Sequence, residues 1–111
     1  MDKLAHEQTI AAVLIDVTRR EVELYAANAF NATLYAIMDE KQHIYSVISV
    51  PNQPHQYPVG IVVMARVVGD YVVIEEDRTD RPLVDALMVN GRVPREKIIL
   101  AYNGEKLPEN A

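Results

Sequence analysis

Three consecutive carboxylates, Glu75, Glu76 and Asp77, form the densest group in the chain that could do chemistry. Paired carboxylates can act as general acid and base or hold a divalent cation. Strict alternation along a strand predicts that Glu75 and Asp77 share one face of a sheet. Cation sites need several converging oxygens, and carboxylates before a helix commonly cap it, so we favour solvated or helix-capping roles. A hydrolase using Glu75 and Asp77 in a cleft is the weaker hypothesis.

The histidines offer no metal-binding spacing. His6, His43 and His55 are the only ones, and none lies three or four residues from another. A helix needs that spacing to bring two zinc ligands together. The chain has no cysteine, which excludes disulfides and thiolate metal sites. We therefore expect surface or loop histidines, no metal and no cofactor.

Other motifs of catalysis or nucleic-acid binding are missing from the sequence. No Gly-x-Ser-x-Gly elbow occurs, and the glycines are too far apart for a phosphate loop. The net charge is −5, whereas binding to DNA depends on clustered Lys and Arg. We predict that the chain is not an enzyme. A small DNA-binding regulator that uses Arg78, Arg81, Arg92 and Arg95 in an oligomer stays as the alternative.

Length and hydropathy indicate one globular domain spanning residues 1–111. Half of the residues are hydrophobic (50%), which is ordinary for a folded protein. Residues 1–7 lack the basic region and unbroken apolar run of a signal peptide. No apolar stretch approaches the roughly 18 residues of a membrane helix. We expect a cytoplasmic location without membrane contact.

Helical periodicity predicts an N-terminal helix. Ile10, Val13, Leu14 and Val17 form one apolar stripe, and the helix is expected to end near Asn28.

A second helix is predicted around an apolar stripe that runs from Leu83 to Met88. Thr79 or Asp80 can cap its first amides. Gly91 stands where a residue in the left-handed conformation is expected to end the helix.

Extended segments predict the rest of the fold. Four of them form two hairpins, at residues 33–38, 44–50, 59–67 and 71–76. Gly69 supplies the positive φ that the second turn needs. Residues 98–100 form a short extended tail. The predicted fold is α+β: an N-terminal helix, a four-stranded antiparallel sheet of two hairpins, a C-terminal helix and that tail.

The third strand is apolar on both faces. Strict alternation places Ile61 with Val63, and places Val62, Met64 and Arg66 on the other side. Since two helices cannot cover both faces of a sheet, we hypothesise that another chain buries the second face, either a second copy or a partner. The predicted partner-binding residues are Val62, Met64 and Arg66. Alternatively, the N-terminal segment wraps across that face.

A series of short motifs spans the second half of the chain: Asp77-Arg78-Thr79-Asp80, Leu83, Leu87, Gly91, Val93-Pro94 and Ile98-Ile99-Leu100. This series resembles the C-terminal signature of XisI-type proteins, the fdxN element excision controlling factors of cyanobacteria. Residues 39–45 and 60–74 are similar to the two hairpins of that family. Arg92 stands as an extra residue between Gly91 and Val93.

The resemblance implies an α+β fold with an antiparallel sheet. It also implies a role in controlling excision of a DNA element during heterocyst differentiation, alongside a recombinase and a companion factor, XisH. No catalytic residues carry over from the family, and DNA contact is left open. Our leading hypothesis is a non-catalytic accessory factor that acts through a protein partner, XisH-like in kind.

Overall fold

The computed structural model describes residues 9–54 and 56–111 of the chain. Two α-helices and six strands follow one another as α1 (Ile10–Glu23), β1 (Ala27–Asn28), β2 (Ala32–Asp39), β3 (Ile44–Pro51), β4 (Gly60–Val68), β5 (Tyr71–Asp77), α2 (Leu83–Val89) and β6 (Ile98–Leu100). Short 3₁₀ turns at Arg95–Lys97 and Ala101–Asn103 flank β6.

The six strands form one sheet in the order β1-β2-β3-β4-β5-β6. Neighbouring strands are antiparallel except β5 and β6, which run parallel. The α+β class is as predicted, but the four-stranded antiparallel sheet is a wrong prediction. The predicted tail, residues 98–100, is the sixth strand. The segment that contains α2 returns the chain along the sheet, so residues 98–100 can pair parallel to β5. Such short strands have too few residues to show periodicity.

The first helix is shorter than its sequence pattern suggests. Thr9 caps it, with its Oγ1 accepting a hydrogen bond from the Ala12 amide at 3.0 Å. The helix ends at Glu23 rather than near Asn28. Asn28 instead pairs with Thr33 as part of β1, so this segment forms one edge of the sheet.

Both helices pack on one face of the sheet, which we call the covered face. One continuous core joins them to the central strands. Its fully buried members include Tyr45, Val47, Val63, Leu83 and Leu87. Burying a large apolar side chain stabilises a fold by roughly 1.5–3 kcal/mol, so this face holds the sheet and helices together.

A bulge in β4 reverses the predicted facing of two residues. Val47 pairs with Val63 and Ile48 with Ile61, so Val62 is an extra residue in β4. Val62 consequently packs against the core, while Ile61 turns to the opposite face and is 42% exposed. The prediction that Ile61 and Val63 share a face is therefore wrong.

The backbone after α2 also differs from the prediction. Arg92, with φ of 57°, is the left-handed residue there, and Gly91 is not. Gly91 is instead a close-approach glycine. A Cβ at this position would overlap Val17 Cγ1 and come within 2.8 Å of the Leu87 carbonyl oxygen. Gly69, with φ of 56°, makes the β4–β5 turn as predicted.

No helix in the two described ranges is both long and apolar enough to cross a membrane.

Candidate functional site: the uncovered face of the sheet

The face of the sheet opposite the helices carries two rows of side chains across β2, β3 and β4. In the first row, Tyr35 pairs with Ile48 and Ile48 with Ile61. Tyr35 is 51% exposed and Ile61 is 42% exposed. Three large apolar residues thus lie side by side and meet solvent. We call this side the uncovered face.

The second row extends the apolar surface. Ile37 pairs with Ser46, and Ser46 pairs with Met64. Ile37 is 51% exposed, whereas Met64 is half-buried. Ser46 is the one small polar side chain between them, so the two rows make a nearly continuous apolar patch over three strands.

Ion pairs border this patch towards β5. Arg66 Nε donates to Glu75 Oε2 at 2.6 Å, with both side chains about one third exposed. Arg78 Nε lies 3.5 Å from Glu76 Oε2. Beyond this border Val73, which pairs with Arg66, is buried. An apolar centre with a charged rim is the usual anatomy of a protein–protein interface.

The structure separates the three residues predicted to bind a partner. Met64 and Arg66 lie on the uncovered face, whereas the bulge turns Val62 to the covered face. The residues that sequence reasoning missed are Tyr35, Ile37, Ile48 and Ile61. In β2 an available signal was the alternation that puts Tyr35 and Ile37 together, since the other side of that strand faces the core.

The acidic run does not form a carboxylate pair. Asp77 lies on the covered side, where its Oδ2 accepts from the Leu83 amide at 2.7 Å and its Oδ1 from the Thr79 amide at 2.9 Å. Glu75 is the extra residue of a second bulge and bonds to Arg66 on the other face. The prediction that Glu75 and Asp77 share a face is wrong. Asp77 satisfies amides before and at the start of α2, one of the two roles favoured for the acidic run. The prediction that Thr79 or Asp80 caps α2 is wrong, because the helix begins after Pro82 and the Thr79 hydroxyl donates to the Arg81 carbonyl.

The four arginines of the DNA-binding alternative do not line one groove: Arg78 and Arg81 line one together, and Arg92 lines another. Arg78 is paired with Glu76, and Arg95 with a glutamate near the C-terminus at 2.7 Å. The Arg81 guanidinium lies over an aromatic ring at 5.9 Å. Arg92 lines a different groove, beside the start of α1. Phosphate binding would have to compete with acidic partners at two of these positions.

The histidines are not gathered into a site. His43 occupies the β2–β3 turn with φ of 58°, and its Nδ1 is buried without a hydrogen-bond partner. His6 and His55 lie outside the described residues. Within the described parts of the chain, no group of three His, Asp or Glu residues could hold a metal ion.

Comparisons with known proteins agree with this architecture. The sequence model of one family, described as XisI protein, matches residues 1–109. No curated protein matches the chain. The structure is similar to an XisI-like protein from Anabaena variabilis, with a TM-score of 0.70 and 19% identity over 81% of this chain and 84% of that one. It is also similar to the fdxN element excision controlling factor XisI from Anabaena variabilis, with a TM-score of 0.67 and 18% identity over 85% of this chain and 87% of that one.

Proposed function

The chain belongs to the XisI family, and from this premise we propose that it is a non-catalytic controlling factor for excision of a DNA element. In this role the chain acts by binding a protein partner through the uncovered face. One observation carries the proposal: the apolar patch around Ile48, which the helices leave open to solvent.

An open apolar patch of this kind favours association. Tyr35 and Ile37 on β2 and Ile61 on β4 are each between 42% and 51% exposed, and Ile48 on β3 lies between Tyr35 and Ile61. Burying apolar surface contributes roughly 25 cal/mol per Å², and monomeric proteins rarely expose large contiguous apolar patches. A partner with a matching apolar surface would bury this centre, while Arg66 and Glu75 stay at the rim.

The charges favour a protein over DNA as the direct partner. The chain carries a net charge of −5, so bulk electrostatics oppose approach to phosphates. The cations at the rim of the uncovered face, Arg66 and Arg78, already pair with Glu75 and Glu76. Any influence on DNA then passes through the bound protein.

The similarity to the structure of an fdxN element excision controlling factor supports the choice of process. The expected partner is an XisH-like protein, in the cytoplasm of a cyanobacterium during heterocyst differentiation. A second copy of the chain is the competing occupant of the same face. In that case the small DNA-binding regulator acting as an oligomer becomes the better hypothesis.

The test is co-expression with an XisH-like protein, followed by size-exclusion chromatography with light scattering. Ile61→Ser places a hydroxyl in the middle of the patch and should abolish a mixed complex. Met88→Ser is the matched control, because Met88 is 39% exposed on α2, on the other side of the sheet. It should leave the complex intact.

Each outcome decides between the hypotheses. A mixed complex lost only in Ile61→Ser supports the proposal and gives the stoichiometry. Separate elution, with this chain oligomeric unless Ile61 is replaced, assigns the face to self-association. Separate elution with a monomeric chain overturns the proposed mechanism.

A further inference from the structure

A groove on the helix side of the sheet lies between the last turns of α1 and one flank of α2. It has a volume of about 430 Å³. Its lining includes Glu21 of α1 and Leu24 just after that helix, and Asp85, Val89 and Asn90 from α2 and its end. We call it the Glu21 groove. It is separate from the uncovered face.

Glu21 is a buried carboxylate at this groove. The residue is only 6% exposed, and its Oε1 accepts one hydrogen bond, from Asn90 Nδ2 at 3.2 Å. Within the described residues, Oε2 accepts no hydrogen bond, and no Lys or Arg lies within ion-pair distance of this side chain. Oε2 is not among the buried polar atoms that lack a partner, and Glu21 lines the groove. A ligand that brings a positive charge would give this oxygen a charge-assisted hydrogen bond.

The surroundings add two carboxylates, and the arginine at the groove lies over the ring of Tyr25, which lines the groove as well. Asp80 and Asp85 line the same groove. Arg81 also lines it, but its guanidinium lies over the Tyr25 ring at 5.9 Å. The groove therefore holds three carboxylates, those of Glu21, Asp80 and Asp85, and one arginine, which makes no ion pair with Glu21. The carbonyl ends of both helices, which carry partial negative charge, are near the groove as well.

The rim of the groove is apolar where a side chain would enter. Leu24 is 66% exposed and Val89 is 76% exposed. Long cationic side chains lay their methylene stems along apolar surface while the charged head reaches a polar partner. Leu24 and Val89 could pack against such a stem, and the Glu21 carboxylate could receive the charged head.

We propose that the Glu21 groove binds an arginine side chain of a protein partner, with its guanidinium on Glu21 Oε2 and its stem between Leu24 and Val89. Arginine fits better than lysine because its planar fork satisfies carboxylates in two directions and it is more weakly hydrated. The inference takes from the proposed function only that the partner is a protein. Its test uses a small probe, so the two proposals fail separately.

The test is a titration of the ¹⁵N-labelled chain with N-acetylarginine N-methylamide, followed by amide chemical shifts. Saturable shifts should concentrate at residues 21, 24, 85, 89 and 90, with a dissociation constant of about 1–10 mM for so small a ligand. N-acetylcitrulline N-methylamide, the neutral isostere, should bind at least about tenfold more weakly, since charge-assisted hydrogen bonds are the stronger kind.

Two variants make the test specific to one carboxylate. Glu21→Gln should weaken arginine binding about tenfold. Glu23→Gln removes the same charge from an exposed position on the same helix and should leave the affinity unchanged. If Glu21→Gln does not fold, Asp85→Asn is the second variant, with an expected loss of about threefold.

Shifts spread over the acidic surface without saturation would overturn the proposal. Equal binding of arginine and citrulline derivatives would overturn it as well, as would equal losses in Glu21→Gln and Glu23→Gln.

Discussion

The two faces of the sheet are built from the same strands and similar residues, yet they differ in what touches them. On the covered face Tyr45, Val47 and Val63 are fully buried beneath the helices. On the uncovered face Tyr35 and Ile61 are half exposed. Both faces carry apolar side chains. They differ because both helices pack on one face and leave the other in contact with solvent.

This contrast separates two uses of apolar side chains. Those on the covered face hold the fold together, since they are removed from water in the isolated chain. Those on the uncovered face add less to the isolated chain, because they stay partly exposed in it, and a bound partner would bury them. Substitutions on the first face should therefore change stability, and substitutions on the second should change association.

The largest expected effect is from truncating the covered side. Leu87→Ala leaves a cavity under α2 and should lower the free energy of unfolding by about 3 kcal/mol. Ile61→Ala on the uncovered face should lower it by less than about 1 kcal/mol. Urea unfolding of both variants gives the two changes in the free energy of unfolding. Equal losses would show that the uncovered face is buried in the isolated chain, and the contrast between the faces would fail.

Gly91→Ala tests how tightly α2 packs on α1. The added methyl group would overlap Val17 and crowd the Leu87 carbonyl, so we expect a loss of about 2 kcal/mol in urea unfolding. Arg92→Gly is the control, because it relieves a left-handed residue and should leave stability equal or slightly raised. A neutral Gly91→Ala would mean that the two helices move apart easily.

The two acids of the run should behave differently, since they lie on different faces. Asp77→Ala removes the acceptors of the Leu83 and Thr79 amides and should cost about 1–2 kcal/mol. Glu75→Gln touches only a partly exposed ion pair with Arg66 and should cost less than about 1 kcal/mol. Thermal unfolding compares them. A larger loss in Glu75→Gln would reverse this assignment.

The stability of the chain at alkaline pH should depend on Tyr45, a buried residue of the covered face. Burial raises the pKa of its hydroxyl to about 12, and the Glu40 carboxylate beside it adds to the rise. In the unfolded chain a tyrosine ionises near pH 10. Its stabilising contribution is thus full below about pH 10 and is lost as the pH rises towards about 12.

Tyr45→Phe should flatten the fall of stability with pH in that window, measured by urea unfolding at pH 9, 10 and 11. Some fall of stability with pH should remain in the variant, because burial also raises the pKa of Tyr25 and of Tyr102. An unchanged slope would show that the Tyr45 hydroxyl reaches solvent.

Much of the fold could be predicted because it depends on local patterns. The stripe from Ile10 to Val17 predicts α1, and the two hairpins follow from extended segments separated by short polar turns, one of them at Gly69. The acidic run is expected to be solvated or to help cap the next helix, and Asp77 does accept from the first amide of α2, six residues on. These features involve residues close in sequence, so the sequence shows them directly.

The candidate site could not be predicted in full because bulges are a property of pairs of strands. Nothing in β4 alone shows that Val62 is the extra residue opposite β3, or that Glu75 is the extra residue opposite β4. A single extra residue reverses the facing of everything on one side of it. The pairing of Ile98–Leu100 with β5 is likewise a contact between distant segments.

By itself the sequence determined the α+β class, the helices, the two hairpins and the resemblance to XisI-type proteins, since short-range spacing and motifs carry all of these. Only the tertiary structure decided which apolar residues the helices cover. It also decided that Glu21 and Asn90 meet across two helices. Both outcomes depend on contacts between segments that are far apart in the chain, and no local pattern specifies those.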